Sequence, residues 1–181
     1  MSVHITFFAH GTTTDNEQDI SSGWYDVELS EFGIQQSKDL KNQTKNKRFD
    51  MVFCSDLKRS FVSAHLAWGD MYEIVQDKRL RECNYGDYNA KQSSIVEPLQ
   101  EKSIHEPMPN GESYEMVKER MASFLEDVKR DHDGKHIAIV GHKAPQFALN
   151  VLLKGMTWEE ACSTDWRLTK SWQPGWEYTL T

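Results

Sequence analysis

Long apolar runs are missing from this chain. None approaches the roughly 20 residues that a bilayer-spanning helix requires. The first residues lack a basic stretch followed by an apolar core, so no signal peptide is expected. Cysteine is scarce: Cys54, Cys83 and Cys162 are odd in number and scattered. That excludes a disulfide framework and offers no metal-binding cluster. All three are read as buried thiols packing as small hydrophobes, in a reducing cytoplasm. Basic residues are in deficit, 21 Lys and Arg against 28 Asp and Glu, for a net charge of -7. Nucleic acid and anionic membranes are poor partners for such a chain. Any anion site must therefore be a local basic pocket. His4, His65, His105, His132 and His136 stand at no convincing metal-ligand spacing and are read as structural or surface groups. Neither a metal nor a cofactor is expected. Repeats and low-complexity blocks are also missing, and the oligomeric state is silent.

What is present is a globular composition: 181 residues, 38% hydrophobic and 27% charged, enough for one domain spanning residues 1–181 with a core of its own. The stretch Val3-His4-Ile5-Thr6-Phe7-Phe8 reads as a strand. Ala9-His10-Gly11-Thr12-Thr13-Thr14-Asp15-Asn16-Glu17 stops it with small, hydroxylated and amide residues. A polar loop at the carboxyl end of a strand is where open α/β sheets place ligands. His10 is the only imidazole in that loop. Gly11 allows close backbone approach, and the hydroxyls and the Asn16 amide are anion-friendly donors. The pattern fits a phosphate cradle around a reactive histidine, or simply a strand-to-loop junction with a hydrogen-bonded His.

Ser30 predicts the N-cap of a helix running toward Lys45. Residues 49–55 predict a second, buried strand, and Ser55 or Asp56 the cap of a helix with Leu57, Phe61, Ala64, His65 and Trp68 on one face. Lys58 and Arg59 fall in its first turn, where cations are disfavoured and a bound anion would explain them. Residues 72–75 predict a short strand, followed by a charged loop over residues 79–88. Pro98, Pro107, Pro109 and Asn110-Gly111 break residues 89–112 into an irregular excursion, read as a lid. Ser113 caps a helix that Asp133-Gly134 closes. Residues 136–140 predict another strand, ending in Gly141-His142-Lys143 before a helix. A second histidine at the carboxyl end of a second buried strand is far less expected by chance than one. The four tail tryptophans, Trp158, Trp166, Trp172 and Trp176, are read as core packing or a substrate wall.

Taken in order, these segments resemble the histidine phosphatase superfamily, the phosphoglycerate-mutase-like group. The resemblance rests on Ala9-His10-Gly11-Thr12-Thr13 with Asn16, on residues 23–26 and 29–33, and on Cys54-Ser55-Asp56-Leu57-Lys58-Arg59. It continues through Leu80-Arg81-Glu82 with Tyr85-Gly86-Asp87, Pro109-Asn110-Gly111-Glu112-Ser113 and Val140-Gly141-His142. It implies a three-layer α/β sandwich: a mostly parallel sheet with helices on both faces and an insertion over the strand ends. It further implies that His10 attacks phosphorus and carries a phosphohistidine. Arg59 and His142 would hold the equatorial oxygens, and Glu82 would protonate the leaving oxygen and then activate water. Gly11, Thr13 and Asn16 would add contacts to the phosphate, with no metal. Trp24, Tyr25 and Tyr85 are placed at the substrate entrance, with plain aromatic packing as the alternative.

Three positions depart from the family pattern. Ala9 stands where an arginine usually precedes the nucleophile, Thr12 replaces a Glu, and Lys143 follows the second histidine where a small residue is common. Losing one phosphate donor costs about 10²–10³ in rate. Lys143 is expected either to replace the missing guanidinium in part, as a point charge without the bidentate fork, or to point to solvent. Three functions compete: a phosphatase of small phosphorylated metabolites, a phosphate-binding pseudoenzyme, and a phosphoglycerate mutase. The mutase ranks last, because residues 89–113 offer only Lys91, Lys102 and His105 for a second anionic group.

Overall fold

A computed structural model describes residues 2–181. Strand β1 (Val3–Ala9) is built from β-branched and aromatic residues that suit a covered pleated surface. Alternation sends Val3, Ile5 and Phe7 into one core and Phe8 into a second core on the opposite face. A single helical turn, α1 (Thr14–Glu17), and a short strand, β2 (Ile20–Ser21), follow. Helix α2 (Glu31–Gln43) begins at Ser30, whose hydroxyl accepts the Gly33 N–H at 3.1 Å, as its sequence predicts.

Strand β3 (Met51–Cys54) and helix α3 (Lys58–Trp68) come next. The α3 cap differs from expectation. Neither Ser55 nor Asp56 caps it: Leu57 is the N-cap residue, without a side-chain bond. Asp26 caps it from a distant loop by accepting the Lys58 N–H at 2.8 Å. Asp56 is instead held by both fork nitrogens of Arg81 at 2.6 Å. His65, at helical spacing with the apolar residues of α3, is exposed.

Strand β4 (Ile74–Gln76) is short. The excursion over residues 89–112 contains strand β5 (Lys91–Gln92), paired antiparallel with β2, and helix α4 (Ser93–Val96). Buried Val96, Ile104 and Met108 tie it to the core. Helix α5 (Tyr114–Asp131) starts at Ser113, as expected. Strand β6 (His136–Gly141), helices α6 (Lys143–Lys154), α7 (Trp158–Ser163) and α8 (Trp166–Thr169), and strand β7 (Trp176–Leu180) complete the chain.

The five-stranded sheet has the order β4-β3-β6-β1-β7. Its first four strands are parallel and β7 is antiparallel. Residues of α5, α6 and α7 share one core with Ile5, Phe7, Ile137 and Ile139. Residues of α2 and α3 share the other with Phe8, Val52, Ala138 and Val140. Each fully buried Phe or Ile contributes about 1.5–3 kcal/mol. The α/β sandwich is therefore the expected one, mostly parallel with helices on both faces. Strand β7 and helices α7 and α8 were not foreseen. Of the cysteines, Cys54 and Cys83 are buried, but Cys162 is only half-buried, its sulfur accepting from Gln100 Nε2 at 3.0 Å.

The loop after β1 lies directly on the first turn of α2. A Cβ at Gly33 would sit 1.9 Å from the Thr12 carbonyl oxygen, and one at Gly11 would sit 2.5 Å from the Gly33 oxygen. Gly11 thus serves contact with α2 more than contact with a ligand. Helix propensity alone would make Gly33→Ala stabilising by about 1 kcal/mol. The backbone clash predicts the opposite, a loss of about 1–3 kcal/mol. Chemical denaturation of the purified variant decides the sign.

Candidate functional site

The parallel register sets Ala9 beside Gly141, and the His10 N–H donates to the Gly141 carbonyl at 3.2 Å. Residues 10 and 142 thus leave adjacent strands side by side. Their rings stand 5.0 Å apart at 57°. His10 Nδ1 lies 2.7 Å from the Gly11 carbonyl oxygen. A carbonyl can only accept, so Nδ1 carries the proton and Nε2 keeps its lone pair. Burial, and then the Arg59 charge, hold the His10 pKa well below its usual 6.5. His142 is lowered by the same two causes, with His10 itself the next. Its Nε2 is 2.6 Å from Ser55 Oγ, and its buried Nδ1 has no partner.

Arg59 rises from the first turn of α3 and is only 3% exposed. Its Nη2 donates to the Gly23 carbonyl at 2.6 Å and its Nη1 to that of Tyr25 at 3.1 Å. Lys58, its neighbour, turns outward and pairs with Glu28. Glu82 closes the group by capping α6 from outside. Its Oε1 accepts from Ala144 N at 3.0 Å and Cys83 N at 2.8 Å, and its Oε2 accepts from Lys143 N at 3.1 Å. His142 is the N-cap residue of α6 but makes no capping bond, so the carboxylate supplies what those amides need.

Arg120 and Glu112 brace the Glu82 loop. Arg120 donates to the Glu82 carbonyl at 2.9 Å and to the Arg79 carbonyl at 2.6 Å. It is forked onto Glu112 at 2.9 and 3.0 Å, and Glu112 Oε2 also accepts the Asn84 N–H. Sequence reasoning missed the Arg120 role; Glu112 lay inside a quoted motif without an assigned task.

A cavity of about 690 Å³ opens above these groups. His10, Gly11, Asn16, Arg59, Glu82, Tyr85 and Lys143 are on its wall, and Ala9 joins them. The other predicted site residues are placed differently. His142 is buried against His10 and does not line the cavity. Thr13 is fully buried, its hydroxyl spent accepting the Asn16 N–H in a reciprocal cap of α1. The Gly11 amide is spent on Ser63 Oγ at 2.9 Å. Trp24 is no entrance residue: its indole donates to the Glu82 carbonyl at 2.7 Å, and the Arg81 guanidinium covers its ring. Tyr25 is 56% exposed and lies off the cavity, contributing its carbonyl to Arg59. Lys143 Nζ donates to Gln100 Oε1 at 3.3 Å. The 89–112 excursion, read as a lid, lines the cavity through residues 92–97, and Trp166 and Trp172 take the substrate-wall alternative; Arg167 beside them was not foreseen. Trp158 packs instead against Tyr114 in the core.

The sequence profile of the histidine phosphatase superfamily (branch 1) matches residues 5–173. The chain belongs to that superfamily. A protein of Hydrogenobacter thermophilus, provisionally named phosphoserine phosphatase 2, is 32% identical over 81% of this chain and 76% of its own length. Phosphoserine phosphatase 1 of the same organism is 27% identical over 85% and 77%. The crystal structure of a phosphoserine phosphatase from Entamoeba histolytica, in complex with 3-phosphoglyceric acid, shares the fold. Its TM-score is 0.78 at 22% identity, covering 90% of this chain and 85% of that one.

In this member of the superfamily, a separate cluster at the opposite end of β1 joins His4, His136 and Glu177, whose ligand atoms lie within 4.8 Å of one another. The sequence had set both histidines apart from any metal-ligand partner. Protein groups occupy the cluster: Thr6 Oγ1 contacts His136 Nε2 at 2.8 Å and donates to Glu177 at 2.9 Å, and Lys47 pairs with Glu177 at 2.6 Å. Among the described residues no helix is long and apolar enough to cross a membrane.

The lowered pKa values of both site histidines have a spectroscopic consequence. A free imidazole gains its proton as pH falls through 6.5, whereas His10 and His142 stay neutral there. Nitrogen-15 imidazole spectra of the ligand-free protein should show both rings neutral from pH 8 to pH 5, with His10 as the Nδ1–H tautomer. A His10 midpoint near 6.5 would remove the electrostatic account.

Proposed function

We propose that this protein is a phosphomonoesterase acting on small phosphorylated metabolites through a phosphohistidine on His10. The observation that carries the reading is the His10 tautomer. Its Nδ1 lies 2.7 Å from the Gly11 carbonyl, which leaves Nε2 unprotonated for attack in a residue that lines the cavity of about 690 Å³ together with Arg59.

In the first half-reaction Nε2 attacks phosphorus and the ester P–O bond breaks. The Glu82 carboxyl proton goes to the departing oxygen. In the second half-reaction Glu82 takes a proton from water, the hydroxide attacks phosphorus, and the P–N bond breaks. Inorganic phosphate leaves and His10 is restored. Arg59 lies on the cavity wall where charge would develop on the phosphoryl oxygens, and His142 stands directly behind His10, ring centres 5.0 Å apart. The buried His142 nitrogen has no protein partner, and leaving a buried polar atom unpaired costs about 1–3 kcal/mol. A phosphoryl oxygen would supply the partner.

Ala9 takes the position where an arginine is usual in this family, and it presents only a methyl group to the cavity. Lys143 supports the site as a point charge from the α6 end. The named relatives, phosphoserine phosphatases among them, fit a small metabolite as substrate. The mutase reading lacks support, since Lys91, Lys102 and His105 are all off the cavity wall. Three free thiols fit a reducing compartment such as the cytoplasm.

Rapid quenching of a turnover mixture should yield one phosphoryl mass gain, mapped to His10, and His10→Ala should abolish both the adduct and turnover. Glu82→Gln should lower kcat by about 10²–10⁴ on alkyl monoesters and by much less on p-nitrophenyl phosphate, whose leaving group needs no proton. Turnover by His10→Ala would end this reading.

A further inference from the structure

Residues 165–174 form one side of the cavity, and the scheme above uses none of their side chains. Arg167 is one of three Lys or Arg side chains on the wall, with Arg59 and Lys143. The other two are engaged: Arg59 gives both terminal nitrogens to backbone carbonyls, and Lys143 reaches Gln100. Arg167 uses only Nη1, on Asp165 Oδ1 at 3.2 Å. Among the described residues, its Nε and Nη2 have no acceptor. The guanidinium, 35% exposed, is held by the Asp165 ion pair and by Trp166. Its Cζ lies 4.4 Å over the Trp166 ring, and buried Asp165 also accepts the Arg167 backbone N–H at 3.0 Å.

A second observation is independent of the first. Trp166 lines the same cavity, and its Nε1 is buried without an acceptor. An indole nitrogen can only donate, so this atom calls for an acceptor that the protein does not supply. Trp166 is itself braced by stacking on Trp176, 6.1 Å away at 28°. The tail therefore brings a cation and a residue with an unpaired donor to one cavity wall. The Arg167 charge also contributes to holding down the pKa of both His10 and His142, which puts it within electrostatic reach of the phosphorus position.

We propose that Arg167 is the second guanidinium of the phosphoryl pocket, delivered by the C-terminal tail, with the Trp166 indole N–H as an added donor to the same oxygens. Phosphoryl transfer spreads charge over three equatorial oxygens. Arg59 approaches from α3 and His142 from the end of β6. Ala9 contributes nothing polar, and Arg167 meets the remaining side. A planar fork suits phosphate oxygens better than the Lys143 ammonium does. The inference rests on the phosphatase reading for its place in the reaction, but its test is made on binding, which requires no turnover.

The probe is inorganic phosphate, measured by calorimetry on the full chain, alongside p-nitrophenyl phosphate hydrolysis. Arg167→Gln should weaken phosphate binding at least tenfold and lower kcat/KM by about 10²-fold, while Arg167→Lys retains part of both. Trp166→Phe keeps the ring contact but loses the N–H, and should weaken phosphate a few-fold. Leu168→Ala, at a position 73% exposed in the same helical turn, should change neither. Wild-type phosphate affinity in Arg167→Gln overturns the proposal. So does a defect confined to substrates whose leaving group carries its own carboxylate, because Arg167 would then read that group. If His10→Ala still turned over, the phosphatase scheme would fail while the phosphate affinities still judged Arg167.

Discussion

One backbone hydrogen bond organises this molecule: the His10 N–H on the carbonyl of Gly141. It is the last rung of the parallel β1–β6 ladder, whose register runs from His4 opposite His136 to Ala9 opposite Gly141. Since a one-residue slip would reverse every side chain, the buried alternation of Ile5, Phe7, Ile137 and Ile139 holds that register. The two imidazoles are neighbours because two apolar strands end level with each other. Arg59 and Glu82 then need only approach that one point.

The site groups also hold the fold together. Glu82 caps α6, Arg59 ties down the carbonyls of Gly23 and Tyr25, and Ser63 satisfies the Gly11 amide. These caps are borrowed from other parts of the chain, which is why a helix start such as α3 lacks a local cap. The same economy leaves a few polar atoms unpaired. His142 Nδ1 and Trp166 Nε1 are the two buried side-chain atoms without a partner among the described residues. Both belong to residues beside or lining the same cavity. Buried polar atoms without a partner are rare in finished cores, and these two sit at or beside a single cavity.

Burial and a nearby guanidinium keep His10 neutral without any partner base. This differs from activation by an adjacent carboxylate. Burial and the Arg59 charge both disfavour the imidazolium, while the Gly11 carbonyl selects which nitrogen stays free. The buried thiols follow the same desolvation logic in the inert direction. Cys54 is pushed up to about 12, largely by burial, and so remains protonated and unreactive.

The sequence by itself determined the strands over residues 3–8 and 136–140 and the caps at Ser30 and Ser113, and it pointed to His10, Arg59 and Glu82, which the structure brings to one cavity wall. Each is written in a local pattern: alternation, a hydroxyl before a helix, or a polar residue at the end of an apolar run. The period of two in β7 is local as well, since Trp176, Tyr178 and Leu180 alternate with Glu177 and Thr179, but a tail with four tryptophans fits core packing equally. Tertiary structure alone decided the rest. It moved the α3 cap to Asp26, took Thr13 and the Gly11 amide for internal bonds, turned Trp24 into a brace, and brought Arg167 to the cavity from more than 150 residues away in the chain. Partners chosen across such separations depend on how helices and strands pack, and no local periodicity records that choice.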